Sequence, residues 1–79
     1  MVTVHRAFGF RFVIFMNDHS PPHVHVLGSG GEARITLEGP GGLQLDWVVG
    51  IGHGDKRRIM NEAGRERDRL ILEWRRIHG

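Results

Sequence analysis

The stretch HVHVLGSGGEARITLE, from His23 to Glu38, is the clearest indication of the fold because two alternating segments flank a glycine-rich turn in it. Apolar side chains occupy every second position on both sides of that turn: Val24, Val26, Ala33, Ile35 and Leu37. A period of two with β-branched residues is typical of strands with one buried face, and Gly28-Ser29-Gly30-Gly31 is typical of a tight reversal. The stretch therefore predicts an antiparallel hairpin with strands over residues 23–27 and 32–38.

The same alternation continues on both sides of this hairpin. Upstream, residues 8–16 place five apolar side chains on one side: Phe8, Phe10, Phe12, Ile14 and Met16. Downstream of the turn Gly39-Pro40-Gly41-Gly42, residues 43–49 place four apolar side chains on one face: Leu43, Leu45, Trp47 and Val49. These segments complete a predicted four-stranded antiparallel sheet, in which Trp47 is expected to belong to the core.

The C-terminal part of the chain has a helical period. Its apolar residues fall within an arc of about 120° on a helical wheel; they are Ile59, Met60, Ala63, Leu70, Ile71, Trp74 and Ile77. Gly52 is the expected N-cap, and Gly64 is where a kink or break is expected because glycine costs about 1 kcal/mol in a helix. The predicted fold is α+β: one domain over residues 1–79, with two layers, a four-stranded sheet and one long C-terminal helix that covers it.

Composition and charge narrow the function classes. The chain has 79 residues and no Cys, which excludes a disulfide framework and thiolate metal sites. The net charge is +2, and residues 55–79 carry eight basic and five acidic residues in an interleaved order. That order is typical of an ion-paired helix surface, so it disfavours nucleic acid binding through the Arg-rich helix. No apolar run suits a membrane span or a secretory leader, and we expect a cytoplasmic protein without a membrane partner.

The segment NDHSPPHVHV, residues 17–26, carries the clearest chemical motif. His23 and His25 are two positions apart on a strand, so both imidazoles project from one face. Two prolines stiffen the approach, which lets His19 lie over the same face. Together with Asp18, these residues predict a metal site with an open coordination position: His19, His23, His25 and Asp18. Zinc or manganese is the expected ion.

Two other interpretations of this segment stay open. Without a metal, His23 and His25 could serve as general base and general acid, while Asp18 orients one of the rings. In a purely structural role, a histidine beside prolines bonds a backbone carbonyl and nothing else. Asn17, Asp18 and Arg67 are the predicted binding residues. Arg67 lies inside the apolar arc of the helix, so it either reaches Asp18 or a substrate phosphate, or extends its head to water.

The chain resembles the domain-of-unknown-function 4160 family over nearly its whole length. The resemblance is carried by the segment EARITLE, the Trp-bearing strand, the final LILEW and an Asn-Asp-His-x-Pro-Pro-His-x-His motif, matched by Asn17, Asp18, His19, Pro21, Pro22, His23 and His25. The chain departs from the family pattern at Glu66, where a His is usual, and at Gly52, where a Ser is usual. The resemblance implies a small bacterial protein that is often encoded beside a second small protein, as in toxin–antitoxin modules.

Two function classes follow from these observations. The first is an interaction module that binds a small partner protein from a neighbouring gene, in a toxin–antitoxin-like pair. The alternative is a metal-dependent hydrolase or nuclease that uses Asp18, His19, His23 and His25. A homodimer is also expected, because a single helix leaves one face of the sheet uncovered.

Overall fold

The computed structural model describes all residues from Met1 to Gly79 and contains five strands followed by two helices. The elements are β1 Val2–Ala7, β2 Phe10–Ile14, β3 His23–Gly28, β4 Gly31–Thr36, β5 Gln44–Val49, α1 His53–Arg65 and α2 Arg67–His78. All neighbouring strands are antiparallel, and their order in the sheet is the order in the chain. The α+β class is therefore confirmed. Neither helix is long and apolar enough to cross a membrane.

The prediction of four strands was wrong, because Val2–Ala7 forms a fifth strand, β1, at the edge of the sheet. Phe8 and Gly9 both have positive φ, at 55° and 80°, so they form the two-residue turn that joins β1 to β2. Phe8 therefore lies in a turn and not in a strand. The alternation of β1 is hard to recognise in the sequence because Val4 is an extra, bulged residue between the pairs Thr3–Val13 and His5–Phe12.

The prediction of one long helix was wrong, because the segment forms two helices, and the break expected near Gly64 is found two residues further on. It lies at Glu66, where ψ is 9° instead of the roughly −42° of a helix. A straight helix over residues 53–78 would be about 39 Å long, whereas the longest dimension of the molecule is 33 Å. The break changes the direction of the chain, and α2 packs against β3. The start of α1 is as predicted, with Gly52 as N-cap.

The core lies between the sheet and the two helices. Thirteen buried side chains form it: Phe10, Phe12, Ile14, Val24, Val26, Ala33, Ile35, Leu37, Ile59, Ala63, Leu70, Ile71 and Trp74. Trp74 is 4% exposed, so its predicted core position is confirmed. Trp47 is 40% exposed, and its predicted core position was wrong. Asp46 is an extra residue between the pairs Ile35–Leu45 and Arg34–Trp47, and this bulge turns Trp47 to the other side of the sheet.

We call the side of the sheet opposite the helices the open face. The strand register assigns two cross-strand rows to it: Thr3, Val13, His25, Arg34 and Trp47, and Arg6, Arg11, Leu27, Glu32 and Val49. Most of these side chains are exposed or partly exposed, whereas Val13 is fully buried. The open face therefore presents charged and aromatic groups around one buried position.

Candidate metal centre

Asp18, His23 and His25 meet at the start of β3. One oxygen or nitrogen atom from each of the three lies within 4.8 Å of the others. Nε2 of His23 is 3.4 Å from Oδ2 of Asp18, and Nε2 of His25 is 3.9 Å from Oδ1 of the same carboxylate. The structure therefore brings together three of the four predicted metal ligands.

Local structure explains how these three side chains meet. His23 and His25 lie two positions apart on β3, and they project the same way as the sequence predicts. Asp18 lies in the turn after β2, where its backbone N–H donates to the carbonyl oxygen of Phe15 at 3.1 Å. In return, the backbone N–H of Phe15 donates to Oδ2 of Asp18 at 3.0 Å. This pair of bonds folds the turn back and directs the carboxylate towards the two imidazoles.

The hydrogen bonds define which nitrogen of each imidazole carries a proton. Nδ1 of His23 lies 2.8 Å from the carbonyl oxygen of Pro21, which can only accept, so Nδ1–H is the donor. Nδ1 of His25 donates in the same way to Oε2 of Glu32, at 3.3 Å. In the neutral rings both Nε2 atoms therefore carry lone pairs, and both face Asp18.

The two Nε2 lone pairs and the Asp18 carboxylate repel one another unless a positive charge lies between them. A divalent cation meets this need, and a metal-bound histidine usually donates its other N–H to a carbonyl or a carboxylate, as both rings do here. A tetrahedral zinc with bonds of about 2.0–2.1 Å holds its ligand atoms about 3.4 Å apart. The distances from Asp18 to His23 and to His25 are 3.4 and 3.9 Å and run to its two different oxygens, and the three candidate ligand atoms lie within 4.8 Å of one another, so the set is wider than a tetrahedral zinc requires. Two imidazoles and one carboxylate nevertheless form a donor set that suits a divalent cation, which would draw the three groups closer together.

A proton is the other way to satisfy these groups. If His23 were protonated, its Nε2–H would donate to Asp18, and the pair would form an ion pair without metal. This arrangement is the one that the acid–base interpretation requires. The two interpretations differ in a measurable way, because only the first needs a cation.

Aromatic rings pack against both imidazoles of the cluster. The ring centroid of His25 is 4.8 Å from that of Phe15 and 6.0 Å from that of Trp47. The His23 ring is 4.9 Å from Trp74. The His23 side chain is 2% exposed, while His25 and Asp18 are 13% and 15% exposed. The site is therefore accessible from the open face and closed on the side of His23.

The other predicted site residues lie apart from this group. His19 is exposed in the turn and is not one of the three residues that meet. Asn17 is exposed in the same turn. Arg67 makes no ion pair with Asp18; its Nε–H donates to the carbonyl oxygen of Leu37 at 2.6 Å and ties the start of α2 to the chain after β4.

The sequence analysis missed Glu32, Phe15 and Trp47 at this site. The hairpin turn pairs Gly28 with Gly31, so Glu32 lies diagonally opposite His25 on the open face. That register could have been read from the glycine-rich turn. Phe15 and Trp47 gave no such signal, because their positions depend on the turn after β2 and on the bulge in β5.

A second cluster of charged groups joins β1 to the helices and has a structural role. Oε2 of Glu62 lies 2.6 Å from Nε2 of His5 and 2.7 Å from an Nη of Arg65. The bond from His5 and then that from Arg65 hold the pKa of Glu62 below its usual range. One helical turn further on, the bond from Arg69 lowers the pKa of Glu66. Arg69 also donates to Nδ1 of His5 at 2.8 Å. These contacts fasten the edge strand at the break between α1 and α2.

Comparisons with known proteins agree with the resemblance seen in the sequence. The family model described as Domain of unknown function (DUF4160) matches residues 9–79, nearly the whole chain. No curated protein and no solved structure matches the chain. The chain therefore belongs to the DUF4160 family.

Proposed function

We propose that the protein binds one divalent cation through Asp18, His23 and His25 and uses it to hydrolyse a phosphodiester. One observation carries this proposal: both Nδ1 atoms are held by outer acceptors, so that both Nε2 lone pairs face the Asp18 carboxylate. Two imidazoles and one carboxylate leave coordination positions free for water and substrate, as in catalytic metal sites.

The chemistry of such a site is hydrolytic. A zinc ion held by Asp18, His23 and His25 would supply a Lewis acid that acidifies bound water and polarises a phosphoryl oxygen. Glu32 would fix the orientation of His25 and raise its basicity. A substrate would have to approach from the open face, where the rings of Phe15 and Trp47 lie beside His25.

The test is isothermal titration of tag-free protein with zinc and with manganese. We expect one cation per chain for the wild type and for His19→Gln, which removes an exposed histidine of the same turn. Asp18→Asn and His25→Gln should lose most of this binding while their circular dichroism spectra stay native. A wild type that takes up neither ion would contradict the proposed metal site.

An activity assay then separates the two chemical interpretations. Hydrolysis of bis(p-nitrophenyl) phosphate should require the cation, stop with EDTA and be absent in Asp18→Asn. Turnover that persists in EDTA and is lost in His25→Gln would instead support His23 and His25 as an acid–base pair. Stoichiometric cation binding without turnover would refute the hydrolytic part of the proposal and leave the metal site in place.

A second candidate function is the interaction module of a bacterial two-gene, toxin–antitoxin-like pair. Several large apolar side chains are exposed: Phe8, Met16, Trp47, Val49 and Leu72. Trp47 and Val49 are neighbours on the open face, where a partner protein or a second copy of the chain would cover them. Co-expression with the product of the adjacent gene should give a complex that Val49→Glu weakens. Growth arrest on expression of either chain alone would identify the toxin.

A further inference from the structure

Two arginines on the open face have no acidic partner. Arg6 on β1 and Arg11 on β2 are directly opposite each other in the sheet. Like charges at such a position destabilise a sheet. No carboxylate lies within 4 Å of either guanidinium, whereas six of the nine acids of the chain form ion pairs with other arginines. The pair is therefore a place where an anion would be bound favourably.

The acids of the open face contact other residues and leave the two guanidinium groups without a carboxylate partner. Asp46 accepts from Arg34 at 3.0 Å and from Thr36 at 2.6 Å. Glu32 accepts from His25, and Asp18 faces the two imidazoles. A cation bound at Asp18 would make the face more positive still. On the helices, most exposed arginines do have an acidic partner: Arg58, Arg65, Arg69 and Arg76 each pair with an acid three residues away, and Arg75 pairs with Glu38, whereas Arg57 has no acid within 4 Å.

The arginine pair lies beside the candidate metal centre. Arg11 is opposite Leu27, two positions from His25 on β3, so the Cα atoms of Arg11 and His25 are diagonal neighbours about 7–8 Å apart. An arginine side chain spans this distance readily. On the other side of His25 lies Trp47, with 40% of its surface exposed. The metal centre is thus flanked by two cations and by one accessible aromatic ring.

The length of this arrangement indicates the size of its ligand. Arg11 lies on β2 and Trp47 on β5, which are three strand spacings apart, or about 14 Å. A single phosphate group cannot reach both. A single strand of nucleic acid can, because it offers phosphates to arginines and bases to an aromatic ring along one chain.

We propose that the open face binds single-stranded nucleic acid, with backbone phosphates at Arg6 and Arg11 and a base stacked on Trp47. This inference rests on the proposed function, since it names the phosphodiester that would be hydrolysed at Asp18, His23 and His25. The strand would cross the sheet from β1 to β5 and pass over the metal centre. An unpaired strand suits this face better than a duplex, because its bases must be free to stack on Trp47.

The test is fluorescence anisotropy of a labelled twelve-nucleotide single strand at low salt, with EDTA present so that no cleavage occurs. We expect binding by the wild type and weaker binding by Arg6→Gln plus Arg11→Gln. The slope of log affinity against log salt should become less steep by about 1.4 in this variant, since each lost phosphate contact contributes about 0.7. Arg57→Gln plus Arg58→Gln on α1 removes the same charge and should bind as the wild type does.

Trp47 supplies a second, independent readout. Trp47→Leu should weaken binding by about 5- to 140-fold, the usual range for loss of one stacked base, and Trp47→Phe should restore much of it. A duplex of the same length should bind more weakly than the single strand. Equal affinities in the two arginine variants, or a duplex that binds as well as the single strand, would overturn the proposal.

Failure of this inference can be told apart from failure of the proposed metal site. Asp18→Asn should lose cation binding and keep binding of the oligonucleotide in EDTA. A wild type that binds the cation but no oligonucleotide would refute the nucleic acid proposal alone. An open face covered by a second copy, seen as a dimer that Val49→Glu dissociates, would also refute it.

Discussion

Glu32 offers a sharp test of the metal centre, because it touches no proposed ligand atom and acts only through His25. Its Oε2 accepts the Nδ1–H of His25 at 3.3 Å. Glu32→Gln keeps the size of the side chain but removes the negative charge. Loss of such an outer partner typically weakens metal binding by about 10- to 100-fold, and we expect a loss within this range.

The expected size of the effect can be worked out for a thermal shift. At a free zinc concentration 100 times the wild-type Kd, binding stabilises the wild type by about 2.7 kcal/mol. A Kd that is 10 to 100 times weaker leaves about 0.4–1.4 kcal/mol in Glu32→Gln at the same concentration. The difference of about 1.3–2.3 kcal/mol corresponds to about 5–18 °C in Tm for a domain of this size. Without zinc, the two proteins should melt within a few degrees of each other.

Glu38→Gln is the matched control for this experiment. The Glu38 side chain is 44% exposed and pairs with Arg75, while that of Glu32 is 42% exposed. The control variant should keep the full zinc-induced shift, measured by differential scanning fluorimetry and checked by titration calorimetry. Equal shifts in Glu32→Gln and in the wild type would refute the idea that Glu32 orients a metal-binding His25.

Three further predictions concern stability. The bond from His5 lowers the pKa of Glu62 in the folded state, so the stabilisation by Glu62 is complete above its unfolded pKa of about 4.3 and is lost as the pH falls through the folded pKa. In urea unfolding between pH 7 and pH 3, the wild type should therefore lose stability more steeply towards acid than Glu62→Gln does. Parallel profiles would contradict this. A methyl group on Gly31 would lie 2.5 Å from the backbone carbonyl oxygen of Gly50, just after β5, so Gly31→Ala should cost about 1–3 kcal/mol in chemical denaturation. A neutral result would count against the register of β4 and β5. Leu70→Ala should cost about 2–5 kcal/mol because Leu70 is fully buried, whereas Leu72→Ala, with Leu72 63% exposed, should change stability by less than about 0.5 kcal/mol.

Membership of a family often supplies a function, but here it supplies a motif whose chemistry must be derived. In this chain, the motif Asn-Asp-His-x-Pro-Pro-His-x-His divides into parts with different positions. Asp18, His23 and His25 converge, Pro21 holds the outer nitrogen of His23, and His19 is exposed. Asp18, His23, His25 and the carbonyl of Pro21 therefore make up the proposed site, and mutagenesis of His19 provides its internal control.

Sequence reasoning on the fold succeeded where the signal is local. The alternation in residues 23–38 identified β3 and β4, and the helical period identified the face of the helices that packs on the sheet. It failed for β1 and for the second half of β5, where the bulges at Val4 and Asp46 shift the alternation by one residue. A bulge is stabilised by the neighbouring strand, so a single strand's pattern does not reveal it.

By itself, the sequence determined the antiparallel hairpins, the amphipathic helices and the common direction of His23 and His25, because these follow from the periods of strand and helix. Only the tertiary structure decided that Asp18 and not His19 completes the cluster, that Glu32 holds His25, and that Trp47 faces the open side. These positions depend on how the turn after β2 folds back and on how strands register against each other. Such contacts join residues that are distant in the chain, and their energies depend on packing between elements, which the local sequence pattern of each element does not reveal.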